Sequence, residues 1–113
     1  MKMVLAFIKK NMFDDLMLAL HKIEGITGAS SSEIHGFGCN KYKPGSDQEP
    51  EISLDFKPYI RLEIACHAEL VDEVLTTIAE AAHTGLRGDG KIYVMPLEEA
   101  VRISSGERGK DAV

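Results

Sequence analysis

Apolar and polar positions alternate between two periods along this chain. Met3 to Ile8 is a compact apolar run of strand length. Behind Asp14 and Asp15, which offer N-cap chemistry, Leu16, Ala19, Leu20 and Ile23 recur at helical spacing, and Gly25 supplies a stop. Ala29 to Ile34 is small and β-compatible and leads into Gly36-Phe37-Gly38. Cys39 to Leu54 holds Pro44, Gly45, Ser46, Asp47 and Pro50, and reads as a long loop of the kind that is usually functional. Ile52 to Phe56 and Arg61 to Cys66 read as strands broken by Lys57-Pro58. From Glu69 to His83 a stripe of Val71, Val74, Leu75, Ile78, Ala79 and Ala82 predicts a second helix, ended by Gly85. Lys91 to Met95 is a further strand, Glu98 to Val101 a helical turn, and about 104–113 a polar, loosely held tail.

The order is strand, helix, strand, strand, helix, strand. It predicts an α+β domain over 1–113 of the ferredoxin-like βαββαβ type, an antiparallel sheet with two helices on one face. The other face then needs a cover, and a homotrimer or dimer is the simplest one.

Composition narrows the function. Among 113 residues, 13 Lys and Arg stand against 18 Asp and Glu, a formal charge of −5, which argues against a general nucleic-acid binder. The apolar run at Met3 is far shorter than the roughly 20 residues of a membrane span. Lys9 and Lys10 follow it where a signal peptide would place small residues, so a cytoplasmic location is expected. Cys39 and Cys66 form no CxxC pair and are expected as free thiols. His35 with Cys39 and Cys66 with His67 are soft pairs, but their spacing matches no standard zinc pattern.

The segment richest in chemistry is Thr84-Gly-Leu-Arg-Gly-Asp-Gly-Lys91, running from helix end to strand. Its glycines permit backbone conformations in which amides converge on an anion, and Lys91 adds a cation. The order of elements excludes a Walker A loop and a Rossmann turn, which both run from strand to helix. The other reading of the segment is a helix cap followed by a tight turn. Arg102 could add a planar fork to a phosphate site, although nothing in the linear sequence brings it near, and Glu63 could accept a ligand's hydrogen bonds or face solvent. No nucleophile with a base and no carboxylate pair is readable, so binding rather than catalysis is expected.

On these motifs the chain resembles the PII signal transduction proteins, trimeric regulators of nitrogen metabolism. The likeness is strongest at Thr84 to Val94, with Tyr93 where Phe or Trp is usual. It extends to Glu33-Ile-His-Gly-Phe-Gly38, Asp55-Phe56, Pro58, Arg61-Leu-Glu63 and Arg102-Ile-Ser-Ser-Gly-Glu107. The resemblance implies a homotrimer with clefts between subunits where ATP and ADP compete. It also implies a T-loop, here about 39–54, that changes shape with the ligand and docks on targets such as an ammonium transporter, another membrane transporter or a nitrogen-assimilation enzyme. It implies that Gly36, Phe37 and Gly38 form the loop base, that Gly88, Asp89, Gly90 and Lys91 form the phosphate loop, and that Ile8, Ser30, Glu63 and Ala65 surround base and ribose. Arg102 would reach the phosphates from the adjoining subunit.

Several departures from that family bear on the ligand. Cys39-Asn40 replaces Arg-Gln, so Asn40 keeps an amide at the position for magnesium and 2-oxoglutarate but is one methylene shorter. Tyr59 replaces the lysine that pairs with 2-oxoglutarate, and Ser104 replaces a second phosphate arginine. Ile52 stands at the uridylylated tyrosine and Pro50 at the phosphorylated serine. Nucleotide binding that favours ADP or AMP, and weakened 2-oxoglutarate binding, are the expectations. The competing reading is a metal-binding trimer resembling the CutA proteins, which lack a need for a phosphate cradle.

Overall fold

A computed structural model of the chain describes residues 1–36 and 57–113. Four strands, β1 (Lys2–Lys9), β2 (Ser30–Gly36), β3 (Lys57–Cys66) and β4 (Gly90–Pro96), and two helices, α1 (Phe13–Leu20) and α2 (Val71–Ala82), follow the βαββαβ order. Every strand pairing is antiparallel and the sheet order is β2-β3-β1-β4, the ferredoxin-like arrangement. Register explains the core. Val4, Ala6 and Ile8 of β1 lie opposite Ile64, Leu62 and Ile60 of β3, so all six share one face, and all are buried. Leu16, Leu20 and Ile23 from the first helical segment and Val74, Ile78 and Ala82 from α2 close over that face in a single cluster. Both helices are therefore on the same side of the sheet.

The other face is apolar but open. Met3, Leu5 and Phe7 alternate outward along β1, flanked in register by Met95, Tyr93 and Lys91 on β4 and by Ala65, Glu63 and Arg61 on β3. The Phe7 and Tyr93 rings meet edge to face with centroids 6.1 Å apart, a favourable geometry for their quadrupoles. Tyr93 and Met95 remain 48% and 42% exposed, so within the chain this face is only partly covered.

Four expectations are corrected. Asp14 and Asp15 are not caps. The N-cap position of α1 is Met12, without a side-chain hydrogen bond, and both carboxylates lie in the first helical turn, where they favour the positive end of the helix dipole. Lys57-Pro58 does not break a strand, because β3 begins at Lys57 and runs on to Cys66. Pro58 is tolerated there because the β1 partner ends at Lys9, opposite Tyr59, which leaves Pro58 at the start of β3 beyond the β1 ladder. Ile52 to Phe56 lies outside the described residues.

Glu98 to Val101 is not helical. Val101 forms an antiparallel bridge with Arg108. The tail, expected to be loosely held, is bonded to itself. The Arg102 amide donates to the Glu107 carbonyl at 2.9 Å, the Gly106 amide to the Arg102 carbonyl at 2.7 Å, and Gly109–Ala112 is a short 3-10 turn. Cys66 is a free thiol in the core, and burial pushes its pKa up, so it behaves as a small apolar residue.

Candidate functional site

The segment from Thr84 to Lys91 folds against the end of the sheet where β1 stops. Gly85, Gly88 and Gly90 all take positive φ, at 77°, 83° and 107°. Gly90 could be nothing else, since an added Cβ would lie 1.7 Å from the Phe7 carbonyl oxygen. That close approach lets Gly90 pair with Ile8 and starts β4 there.

Asp89 is the knot of the loop. Its Oδ2 accepts the Thr84 amide at 2.9 Å, and its Oδ1 accepts the Thr84 hydroxyl and lies 3.1 Å from Lys9 Nζ. Lys9 Nζ also donates to Thr84 Oγ1 at 3.0 Å, and the Leu86 amide donates to the same oxygen at 3.1 Å. His83 Nδ1 stands 3.4 Å from Asp89 Oδ2. The Thr84 hydroxyl and amide, and then Lys9, hold the Asp89 carboxyl well below the usual carboxylate range. From β3, the Tyr59 hydroxyl donates to the Gly88 carbonyl at 3.3 Å. Lys9 and Tyr59 are direct cross-strand partners, so two adjacent strands brace the loop side by side.

The electrostatic result is a local reversal of sign. Lys9 holds Asp89, and Arg87 and Lys91 flank it in sequence, on a chain whose formal charge is −5. Lys91 forms no ion pair with any described residue. A rigid glycine loop with a surplus of cations is suited to an anion. Beside it, between α2 and β4, runs an apolar groove of about 460 Å³ lined by Leu75, Ile78, Ala79, Ala82 and Ile92, with Asp89 to Lys91 at one end.

The remaining site residues are distributed as follows. Gly36 ends β2 opposite Lys57. Ser30 and Glu63 are register partners on the open face, and Ala65 lies on that face opposite Met3. Arg61 Nε holds Glu63 Oε1 at 3.0 Å. Glu63 sits four residues along β3 from Tyr59, about 13 Å at the usual strand rise. The Ile8 side chain points into the core with 1% exposure, so only its backbone faces the loop. Arg102 lies in the C-terminal arm, where its Nη2 donates to the Asp111 carbonyl at 3.1 Å and Nη1 is 3.7 Å from Glu107 Oε2. None of these partners belongs to the loop. Phe37, Gly38, Asn40 and the span 39–54 lie outside the described residues.

Lys9 was missing from the residues expected at the site, while Thr84 was expected only as the first residue of the segment and Tyr59 only as a replacement for an effector lysine. The signal for Lys9 was available in the fold order: in a βαββαβ sheet, the end of β1 meets the start of β4, so a residue just past Ile8 must face the loop before Gly90.

Comparison with known proteins identifies the family. The family model described as Nitrogen regulatory protein P-II matches residues 1–107. The chain belongs to the P-II family. It is 42% identical to the Nitrogen regulatory protein P-II of Azospirillum brasilense, 41% to that of Rhodospirillum rubrum and 41% to that of Haemophilus influenzae, in each case over the full length of both chains.

Proposed function

We propose that this P-II family member is a non-catalytic regulator. It binds an adenine nucleotide in clefts between the subunits of a homotrimer and acts through residues 39–54 on a target protein. The observation that carries the reading is the braced loop from Gly88 to Lys91, with its surplus of cations and with Lys91 in no ion pair to a described residue. The open apolar face of Met3, Leu5, Phe7, Tyr93 and Met95 supports an assembly that covers it. Arg102, on an arm bonded mainly to itself, would reach a neighbouring subunit's phosphates by giving up its exposed contacts to Asp111 and Glu107.

In this reading Gly88, Asp89 and Gly90 offer backbone to the phosphates and Lys91 offers charge. Glu63, Ala65 and Ser30 border the base and ribose on the open face, and Gly36, Phe37 and Gly38 lead into the target-binding loop. Magnesium would sit near Asn40. With Tyr59 in place of a cation and Ser104 in place of an arginine, ADP or AMP is favoured over ATP, and 2-oxoglutarate binds weakly. The target is a membrane transporter, of ammonium or of another solute, or a nitrogen-assimilation enzyme, met in the cytoplasm. The family match favours this regulator over the CutA-like alternative.

Calorimetry with ATP, ADP and AMP, with and without magnesium and 2-oxoglutarate, tests the proposal. Saturable binding of ADP and ATP that Lys91→Ala weakens is the expected outcome. Absence of nucleotide binding would overturn the reading, and tight ATP-dependent binding of 2-oxoglutarate would overturn its effector part.

A further inference from the structure

We infer that Tyr59 is a positioning residue for the anion loop; the inference deepens the nucleotide reading above and rests on it for the affinity arm of its test. Three observations carry it. The Tyr59 hydroxyl donates to the Gly88 carbonyl at 3.3 Å. Gly88 has φ of 83°, and a Cβ placed on it would sit 3.0 Å from the Tyr59 hydroxyl oxygen. Lys9, the register partner of Tyr59, grips the other side of the same turn through Asp89 and Thr84.

The physics concerns one peptide plane. The Gly88–Asp89 peptide is trans and planar, so fixing its carbonyl also fixes the direction of the Asp89 amide. The residues on either side of Asp89 are glycines, which resist rotation less than any other residue. Without a partner for the Gly88 carbonyl, this plane is the softest point of the loop. Tyr59 holds it from β3, a strand interior to the sheet and paired on both sides. The same bond turns the negative end of the carbonyl dipole toward a donor, which lowers its repulsion of a neighbouring phosphate. The hydroxyl is neutral, so it supports the loop without adding to the charge that counts phosphates.

The test compares wild type with Tyr59→Phe, which keeps the ring and its packing and removes only the donor. Amide hydrogen exchange is read at Gly88 to Lys91, and ADP affinity by calorimetry. Exchange in the loop should speed up while the core strands stay protected. ADP affinity should fall about five-fold, the worth of one ordinary hydrogen bond, with the melting temperature lowered by no more than about 5 °C. Unchanged loop exchange in Tyr59→Phe overturns the inference, whether or not nucleotide binds. Wild-type protein that ignores ADP would sink the nucleotide reading, while the exchange comparison would still decide the role of Tyr59.

Discussion

Two segments of this chain are built from the same ingredients and behave oppositely. The loop 84–91 and the C-terminal arm 97–113 both contain positive-φ glycines, exposed cations and short turns. The loop is tied to the body from three directions: Lys9 on β1, Tyr59 on β3 and His83 at the end of α2. The arm touches the body through the Leu97 amide, which donates to the Met1 carbonyl at 3.1 Å; its other described hydrogen bonds stay within it. It leaves Ile103 98% exposed and Val101 51% exposed. Glycine content therefore does not decide rigidity. What decides it is whether the neighbouring side chains reach the fold or only each other. The loop's shape is fixed by side chains of the sheet and α2, whereas the arm folds on itself with Val101 and Ile103 exposed.

Breaking the tie between loop and sheet has the largest effect. Gly90→Ala forces a Cβ into the Phe7 carbonyl at 1.7 Å and should cost at least about 3 kcal/mol in urea unfolding. Gly106→Ala in the arm, also at positive φ but with nothing within 4 Å of the added atom, should cost only about 1 kcal/mol. Equal costs would erase the distinction between the two segments.

Lys91→Ala comes next. If Lys91 makes the proposed charge-assisted contact to phosphate, its removal should weaken ADP binding by about tenfold or more. Lys91 forms no ion pair with a described residue, so the urea midpoint should hardly move.

Acid should release the loop before the sheet. The folded pKa of Asp89 lies below its unfolded value because Thr84, and then Lys9, stabilise the carboxylate. Its contribution to stability is thus complete above the unfolded pKa of about 3.9 and is lost as pH falls from there toward the folded pKa. The stability gap between wild type and Asp89→Asn should be constant near neutrality and should narrow below about pH 4. A gap that stays constant into strong acid would mean that the ion pair and hydrogen bonds to Asp89 do not hold the loop. The arm gives the smallest effect: Ile103→Ser should change the stability of the isolated chain by less than about 0.5 kcal/mol, since the residue is 98% exposed. If the arm docks on a neighbouring copy, the same substitution lowers the concentration at which subunits stay associated.

The periodicity of the chain made most of this architecture legible. Val4, Ala6 and Ile8 against Ile60, Leu62 and Ile64 is a period-two match that a one-residue slip would ruin. Val74, Ile78 and Ala82 fall at helical spacing and meet that face, as expected. The glycine loop was legible from its composition. What escaped was set by long-range register. Pro58 looked like a break because a proline inside a strand usually is one; its tolerance depends on β1 ending one pair earlier. Lys9 drew notice only as a charged residue where a signal peptide would place a small one. Its ion pair with Asp89 spans 80 positions of sequence, and no local pattern encodes it. The arm looked loose because its residues are polar, while its order comes from backbone bonds that composition does not reveal.

The most direct test is an amide map of the protein by ¹H–¹⁵N NMR as ADP is added. The account predicts that the largest shifts fall at Gly88 to Lys91, that they saturate, and that Lys91→Ala requires far more nucleotide to reach them. Shifts centred elsewhere, for instance along the α2 groove at Leu75 and Ala79, or no shifts at millimolar ADP, would contradict it.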